Sequence, residues 1–266
     1  MKKLLLFSSL LFWVPIFAQT PFDCDDGRFY QVISNELKAF DPVTSTYTDI
    51  GIVHSTTFNS GGYNTVDDFL YAEDKNNKLI RIGSDGITDL GLIDYDESVY
   101  GTWYANADID SNGDYWAFLS AYRQKNMMLK INDLASYDGT QPIDFEYVLM
   151  DTSVVGAIVD VVFIDGLLYG VNKSSTLYTF DVSTTPVTVT SASVANLPVG
   201  SYGAGWSDSA GRLYVSNNAG GLWLIEGYMT ANPIAVYMGS SEVTNQNDGF
   251  KCAVGASPLD KDKMGF

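Results

Sequence analysis

From residue 29 onward the chain is a succession of short apolar or alternating runs, separated by clusters of Gly, Asn, Asp and Ser. Runs of this length with a period of two are strands. Beyond the first eighteen residues no stretch keeps a 3.6-residue period over the length of an ordinary helix. Val32 to Phe40 comes closest, but Asn35 interrupts it and Asp41-Pro42 ends it. The pattern is plainest in YGAGWSDSAGRLYVSNNAGGLWLIE, residues 202–226. One strand reaches a turn at Asp208 to Gly211, a second crosses back from Arg212 to Ser216, and a third runs from Leu222 after a polar turn.

The same arrangement recurs. Aromatic residues that open a strand after a turn stand at Tyr30, Tyr71, Trp116, Tyr169 and Tyr214, in steps of 41, 45, 53 and 45 residues. A four-stranded propeller blade takes roughly 40–50 residues. Ahead of the later markers lies a further strand candidate: Tyr63 to Val66, Ala105 to Ile109, Ile158 to Phe163 and Tyr202 to Trp206. The first repeat lacks one, and a spare strand from Asp248 to Val254 stands at the other end. The expected fold is therefore all-β, a five-bladed β-propeller closed by a C-terminal innermost strand. Six blades are the alternative, if the interval 116–169 hides a degenerate unit.

The start of the chain has a different character. Met1-Lys2-Lys3 is followed by an apolar run from Leu4 to Phe17 and by Ala18-Gln19. A short positive segment, a short apolar core and a small residue form an export signal, with cleavage expected after Ala18. The expected division is a signal peptide at 1–18, the propeller at 19–256 and an exposed tail at 257–266. No later segment is apolar for long enough to span a membrane as a helix. In an oxidising compartment the two cysteines, Cys24 and Cys252, would form a disulfide that locks the closure. The net charge of −17 repels phosphate backbones, which argues against a nucleic-acid partner. Extracellular glycans, surface proteins and cations stay open.

Several stretches resemble one family: PFDCDDGRFYQ at 21–31, LIRIGSDG at 79–86, ADIDSNGDYW at 107–116, DGLLYGV at 165–171, SNNAGGLW at 216–223 and NDGFKC at 247–252. The chain is similar over about residues 21–257 to a secreted propeller-like domain of unknown function found near the N-terminus of large surface proteins of Bacteroidota-type bacteria. The resemblance implies the propeller fold and secretion or surface display, and it brings no catalytic residues with it. It also implies further repeat modules or a sorting domain after the propeller, and Phe266 falls where such a linker would begin.

Chemistry is sparser than architecture. Asp108, Asp110, Asn112 and Asp114 match the first positions of a calcium loop, with Gly113 at the sixth. The twelfth position is Leu119, however, and the same residues also suit a hairpin turn. No cofactor is expected apart from this calcium possibility. Asn64, Asp67, Asp108, Asp160 and Asp248 fall on or beside the candidate innermost strands, where they would face a wet channel or hold a cation. Trp103, Tyr104 and Trp206 would stack on a sugar or pack between blades. Gly61-Gly62 and Gly220-Gly221 read as turns. One histidine, His54, and no Gly-x-Ser-x-Gly elbow leave little for a nucleophilic triad. The expected function is a non-catalytic binding or scaffolding module for a glycan or protein ligand. The alternative is a carboxylate-dependent glycan hydrolase or lyase built on the channel acids.

Overall fold

The computed structural model describes residues 19–96, 106–118, 126–154, 157–257 and 259. The expected signal peptide, most of the expected tail, Trp103 and Tyr104 lie outside the described residues. The described chain forms five four-stranded antiparallel sheets. Blade 1 holds β1 (Phe29–Ile33), β2 (Glu36–Asp41) and β3 (Thr46–Val53). Blade 2 is β4 (Phe58–Asn64), β5 (Phe69–Asp74), β6 (Lys78–Gly83) and β7 (Gly86–Leu92). Blade 3 is β8 (Ala107–Ile109), β9 (Tyr115–Phe118), β10 (Met127–Ile131) and β11 (Glu146–Leu149). Blade 4 is β12 (Ile158–Ile164), β13 (Leu167–Asn172), β14 (Thr176–Asp181) and β15 (Thr188–Ser193). Blade 5 is β16 (Tyr202–Ser207), β17 (Leu213–Asn217), β18 (Gly221–Glu226) and β19 (Ile234–Ser240). The last strand, β20 (Asn247–Phe250), returns to blade 1 and pairs with β1, Tyr30 opposite Phe250 and Ile33 opposite Asn247.

The innermost strands pack in a closed ring: β20 beside β4, β4 beside β8, β8 beside β12, β12 beside β16, and β16 beside β20. This is a five-bladed propeller, and β20 is the closing strand that the repeat pattern implied. The Cys24–Cys252 disulfide joins the segment before β1 to the residues after β20, across a sequence separation of 228.

The core follows from the ring. Each hydrophobic cluster lies between two neighbouring blades. Tyr30, Val32 and Leu37 of blade 1 meet Phe58 and Leu70 of blade 2. Tyr71 and Leu79 meet Tyr115 and Leu129 of blade 3. Trp116 and Met128 meet Ile158 and Leu168 of blade 4. Val162 and Tyr169 meet Tyr202 and Leu213 of blade 5. Phe29 and Phe40 complete the circle against Trp206 and Tyr214. Strands buried on both faces read as near-continuous apolar runs, which is why the middle strands of each blade stood out in the sequence.

The recurring aromatics have a second role. Tyr30 Oη donates to Asp26 at 2.6 Å, Tyr71 Oη to Asp67 at 2.6 Å, and Tyr214 Oη to Asp208 at 2.9 Å. The Trp116 Nε1–H does the same to Asp110 at 3.1 Å. The other carboxylate oxygen of each aspartate accepts backbone N–H groups of its own turn, as Asp110 does from Asn112 and Asp114. One acidic residue thus closes the turn and anchors the aromatic that packs the next interface.

Gly61 and Gly62 lie inside β4 rather than in a turn. A Cβ on Gly61 would sit 2.1 Å from the Tyr71 carbonyl oxygen, and one on Gly62 would sit 2.2 Å from Asp108 Oδ1. Here glycine marks close approach of inner strands, a role that a sequence pattern does not separate from turn-making. Gly220 is in the expected turn, whereas Gly221 begins β18.

Candidate functional site

The C-terminal ends of the inner strands converge on one face, where they enclose a bowl of about 700 Å³ at the mouth of the channel. All five blades contribute: Tyr63 from β4, Ile109 from β8, Ile164 from β12, Ser207 from β16 and, after β20, Lys251. Phe163 and Val254 give the wall an apolar character, and Asp108, Gly205 and Gly249 also line it. Convergence of separate blades on one concavity is how a propeller builds a site from short loops.

Asp108 is the acid of β8 that faces this bowl. Its Oδ1 accepts the Ile109 N–H at 2.8 Å and its Oδ2 accepts the Phe163 N–H of the next blade at 2.7 Å. Burial raises its carboxyl to about 7, against the pull of those two N–H groups and with a further push from Asp110. Among the described residues Asp108 makes no salt bridge.

Asp160 and Asp248 do not line the bowl. Both are buried, and each points one oxygen at backbone: Asp160 Oδ1 at the Val161 N–H, 2.7 Å, and Asp248 Oδ2 at the Gly61 N–H of blade 2, 2.8 Å. Their remaining oxygens, Asp160 Oδ2 and Asp248 Oδ1, have no donor among the described residues. Burial pushes both carboxyls well above the usual range, and each lies within hydrogen-bonding reach of the other. Two carboxyls so placed in a low-dielectric channel hold a shared proton rather than two charges.

Of the other two residues expected at the inner strands, Asn64 is on one and Asp67 is in the turn that follows it. Asn64 is buried at the end of β4, where its Oδ1 accepts the Val66 N–H at 3.0 Å. Asp67 lies in the following turn, held by Tyr71 and by the Phe69 N–H. The inner strand of blade 2 reads from sequence as Tyr63 to Val66 and spans Phe58–Asn64, so Asn64 keeps its place on it while Asp67 falls in the turn.

In the calcium-like segment, Asp110 directs Oδ1 to the Asn112 and Asp114 N–H groups at 2.9 and 3.1 Å, while Oδ2 accepts from Trp116. Asp114 accepts the Asp133 N–H at 2.9 Å and pairs with Lys130 at 2.7 Å. Asn112 is exposed at the tip. These oxygens organise the β8–β9 turn. Among the described residues, one group of three ligand-type side chains is close enough to share an ion: Cys24, Asp68 and Cys252, and its two sulfurs are already bonded to each other.

Trp206 borders the bowl but is only 1% exposed. Its ring stacks on Phe29 at 5.2 Å between centroids, and its Nε1–H donates to the Tyr30 carbonyl at 2.8 Å. The side chain is thereby committed to the seam between blades 5 and 1.

Two residues escaped the sequence reading. Lys251 follows the closing strand and is buried in the bowl wall. Its ammonium donates to the Cys252 and Gly255 carbonyls at 3.1 and 3.2 Å, and burial lowers it to about 8 despite Asp208 and Asp26 nearby. Asp165 is the turn aspartate of blade 4. Tyr169, its expected anchor, turns instead to Tyr228, edge-on at 4.9 Å. Asp165 therefore stands exposed at the rim of the bowl, without the aromatic donor that its counterparts have. Neither position carries a spacing signal, because spacing along the chain does not report distance between blades.

These features define the class: a disulfide-closed five-bladed propeller with a bowl at one mouth of its channel. The chain belongs to the family described as a repeat of unknown function, DUF6923, whose model matches residues 26–254. The sequence matches no curated protein. Among solved structures, a chain of a nidogen/laminin complex is similar with a TM-score of 0.53 and 11% identity, covering 84% of this chain and 97% of that one. A chain of a mitotic checkpoint complex gives a TM-score of 0.42 and 12% identity, covering 88% of this chain and 59% of that one.

Proposed function

We propose that this protein is an exported, non-catalytic binding module that receives its ligand, a segment of another surface protein or a glycan, in the bowl at the channel mouth. The observation that carries the reading is the bowl itself: about 700 Å³, mixed in polarity, and built from all five blades rather than from one inserted loop. A volume of this size suits a few side chains of a partner or a short glycan. Asp108 is the one inner-strand acid of the three that reaches the bowl, while Asp160 and Asp248 are turned to backbone and to each other. Of the four acids that line the bowl, Asp110 and Asp208 are engaged by their own turns and by Trp116 and Tyr214, which leaves Asp108 at the inner wall and the exposed Asp165 at the rim.

Export rests on the Met1–Ala18 pattern and suits the Cys24–Cys252 disulfide, since such bonds persist in oxidising compartments. The similar chain from a nidogen/laminin complex comes from an assembly between proteins. At 11% identity its likeness speaks for the fold alone.

The test is an array of glycans and of peptides from surface proteins, probed with the purified protein. Bound ligands are then followed by mass spectrometry for turnover. Retention without product supports the module. Cleavage of any bound glycan would replace it with the hydrolase reading, and failure of every probe to bind would remove the bowl as a recognition site.

A further inference from the structure

We propose that the bowl recognises a cationic side chain, lysine or arginine, of a protein partner, with Asp108 at the inner wall and Asp165 at the rim as its acceptors; this rests on the binding-module reading above. Three observations carry it. First, Asp108 is a half-buried carboxylate facing a cavity, and among the described residues it has two backbone donors and no ion pair. A partly desolvated acid in that state is stabilised by a cation that enters.

Second, Asp165 breaks the rule that its counterparts keep. Asp26, Asp67, Asp110 and Asp208 are each held by the aromatic that opens the next strand. In blade 4 that aromatic, Tyr169, packs against Tyr228, and the exposed Asp165 carboxylate borders the bowl. Asp108 bonds the Phe163 N–H, and Asp165 lies two residues further along the same run. An extended chain advances about 6–7 Å over two residues. The two acids thus bracket a path that one long side chain can follow.

Third, the exposed Val254 gives the bowl an apolar edge, beside the largely buried Phe163 and Ile164. A lysine or arginine has this composition in reverse: an aliphatic stem that packs on apolar surface and a charged head that seeks a carboxylate. The bowl's own cation does not compete for the role. Lys251 is capped by two carbonyls and lies near Asp208 and Asp26. The chain as a whole, at −17, draws basic partners in.

The experiment is an NMR titration with short capped peptides that differ at one position, carrying arginine, lysine, citrulline or glutamate. The Ile109 and Phe163 amides and the Trp206 indole N–H serve as reporters. Arginine and lysine peptides are expected to shift these signals, and citrulline to bind at least about tenfold more weakly. Asp108→Asn should weaken the arginine peptide by a similar factor. Asp165→Asn, an exposed rim substitution that leaves the inner strands untouched, should weaken it severalfold. Binding by wild type should also tighten between about pH 6 and pH 8, as Asp108 loses its proton, and lose that trend in Asp108→Asn. If citrulline or neutral glycan ligands shift the same reporters as strongly, and both variants bind like wild type, the cation reading is wrong while the module reading survives. If no peptide or glycan moves the reporters, both are wrong.

Discussion

Replacing both Cys24 and Cys252 by serine removes the covalent closure but leaves every strand pairing available. The bond spans 228 residues, nearly the whole ring. On the chain-entropy account its main action is on the unfolded state, where a loop of this size is worth about 5 kcal/mol. In the folded state the ends are already held by the β20–β1 ladder, Tyr30 to Phe250 through Ile33 to Asn247, so the native geometry should persist. A domain of this length loses roughly 2–4 °C of Tm for each kcal/mol. The double variant should therefore keep a wild-type far-UV CD spectrum while its Tm falls by about 10–20 °C. Urea denaturation should show a larger m-value, because the unfolded chain without the cross-link exposes more surface. Thermal melts of the two proteins at matched concentration decide the matter. A Tm loss below about 3 °C, with an unchanged m-value, would refute the argument that the bond acts by restricting the unfolded ring.

Other expectations follow from the same geometry. The folded state holds protons on Asp108 and on the Asp160–Asp248 pair that the unfolded chain releases above about pH 4. Stability should fall as pH rises from there through the folded-state values, and Asp160→Asn should flatten that decline in melts taken from pH 5 to pH 8; a parallel decline in both proteins would assign the effect to overall charge. Tyr71→Phe removes the hydroxyl that anchors Asp67 and should cost about 1.5–3 kcal/mol in chemical denaturation, with a cost near zero excluding the anchor. Gly249→Ala would place a methyl group 2.3 Å from the Gly205 carbonyl oxygen, so the closing strand should pack poorly against β16. That variant should lose about 1–3 kcal/mol and gain hydrogen-exchange rate in β20, and wild-type protection there would contradict the close packing.

The architecture was legible because the recurring aromatics serve two purposes at once: Tyr30, Tyr71, Trp116 and Tyr214 fill blade interfaces and also bond the preceding turn aspartate. A residue under two constraints keeps its position in every repeat. The closing strand and the disulfide were legible from the unpaired first repeat and the spare segment around Asp248 to Cys252. The site was read only in part. Asp108 and Asp160 announce themselves as acids within otherwise apolar inner strands, and Asp248 as the acid of the spare closing strand. Asn64 does end the inner strand β4, whereas Asp67 belongs to the turn after it, and the glycine pair at 61–62 hid the true start of β4. Asp165 and Lys251 gain their meaning from residues in other blades, Tyr228 and Asp208 among them, and no local pattern records such neighbours.

The most direct test of the central claim is hydrogen–deuterium exchange of the protein with and without whichever arginine peptide, lysine peptide or glycan binds best. The account expects ligand-dependent protection in the β8–β9 turn, the β12–β13 turn and the β16–β17 turn, which surround the bowl. Protection confined to the opposite face or to the outer strands β3, β7, β11, β15 and β19 would contradict it.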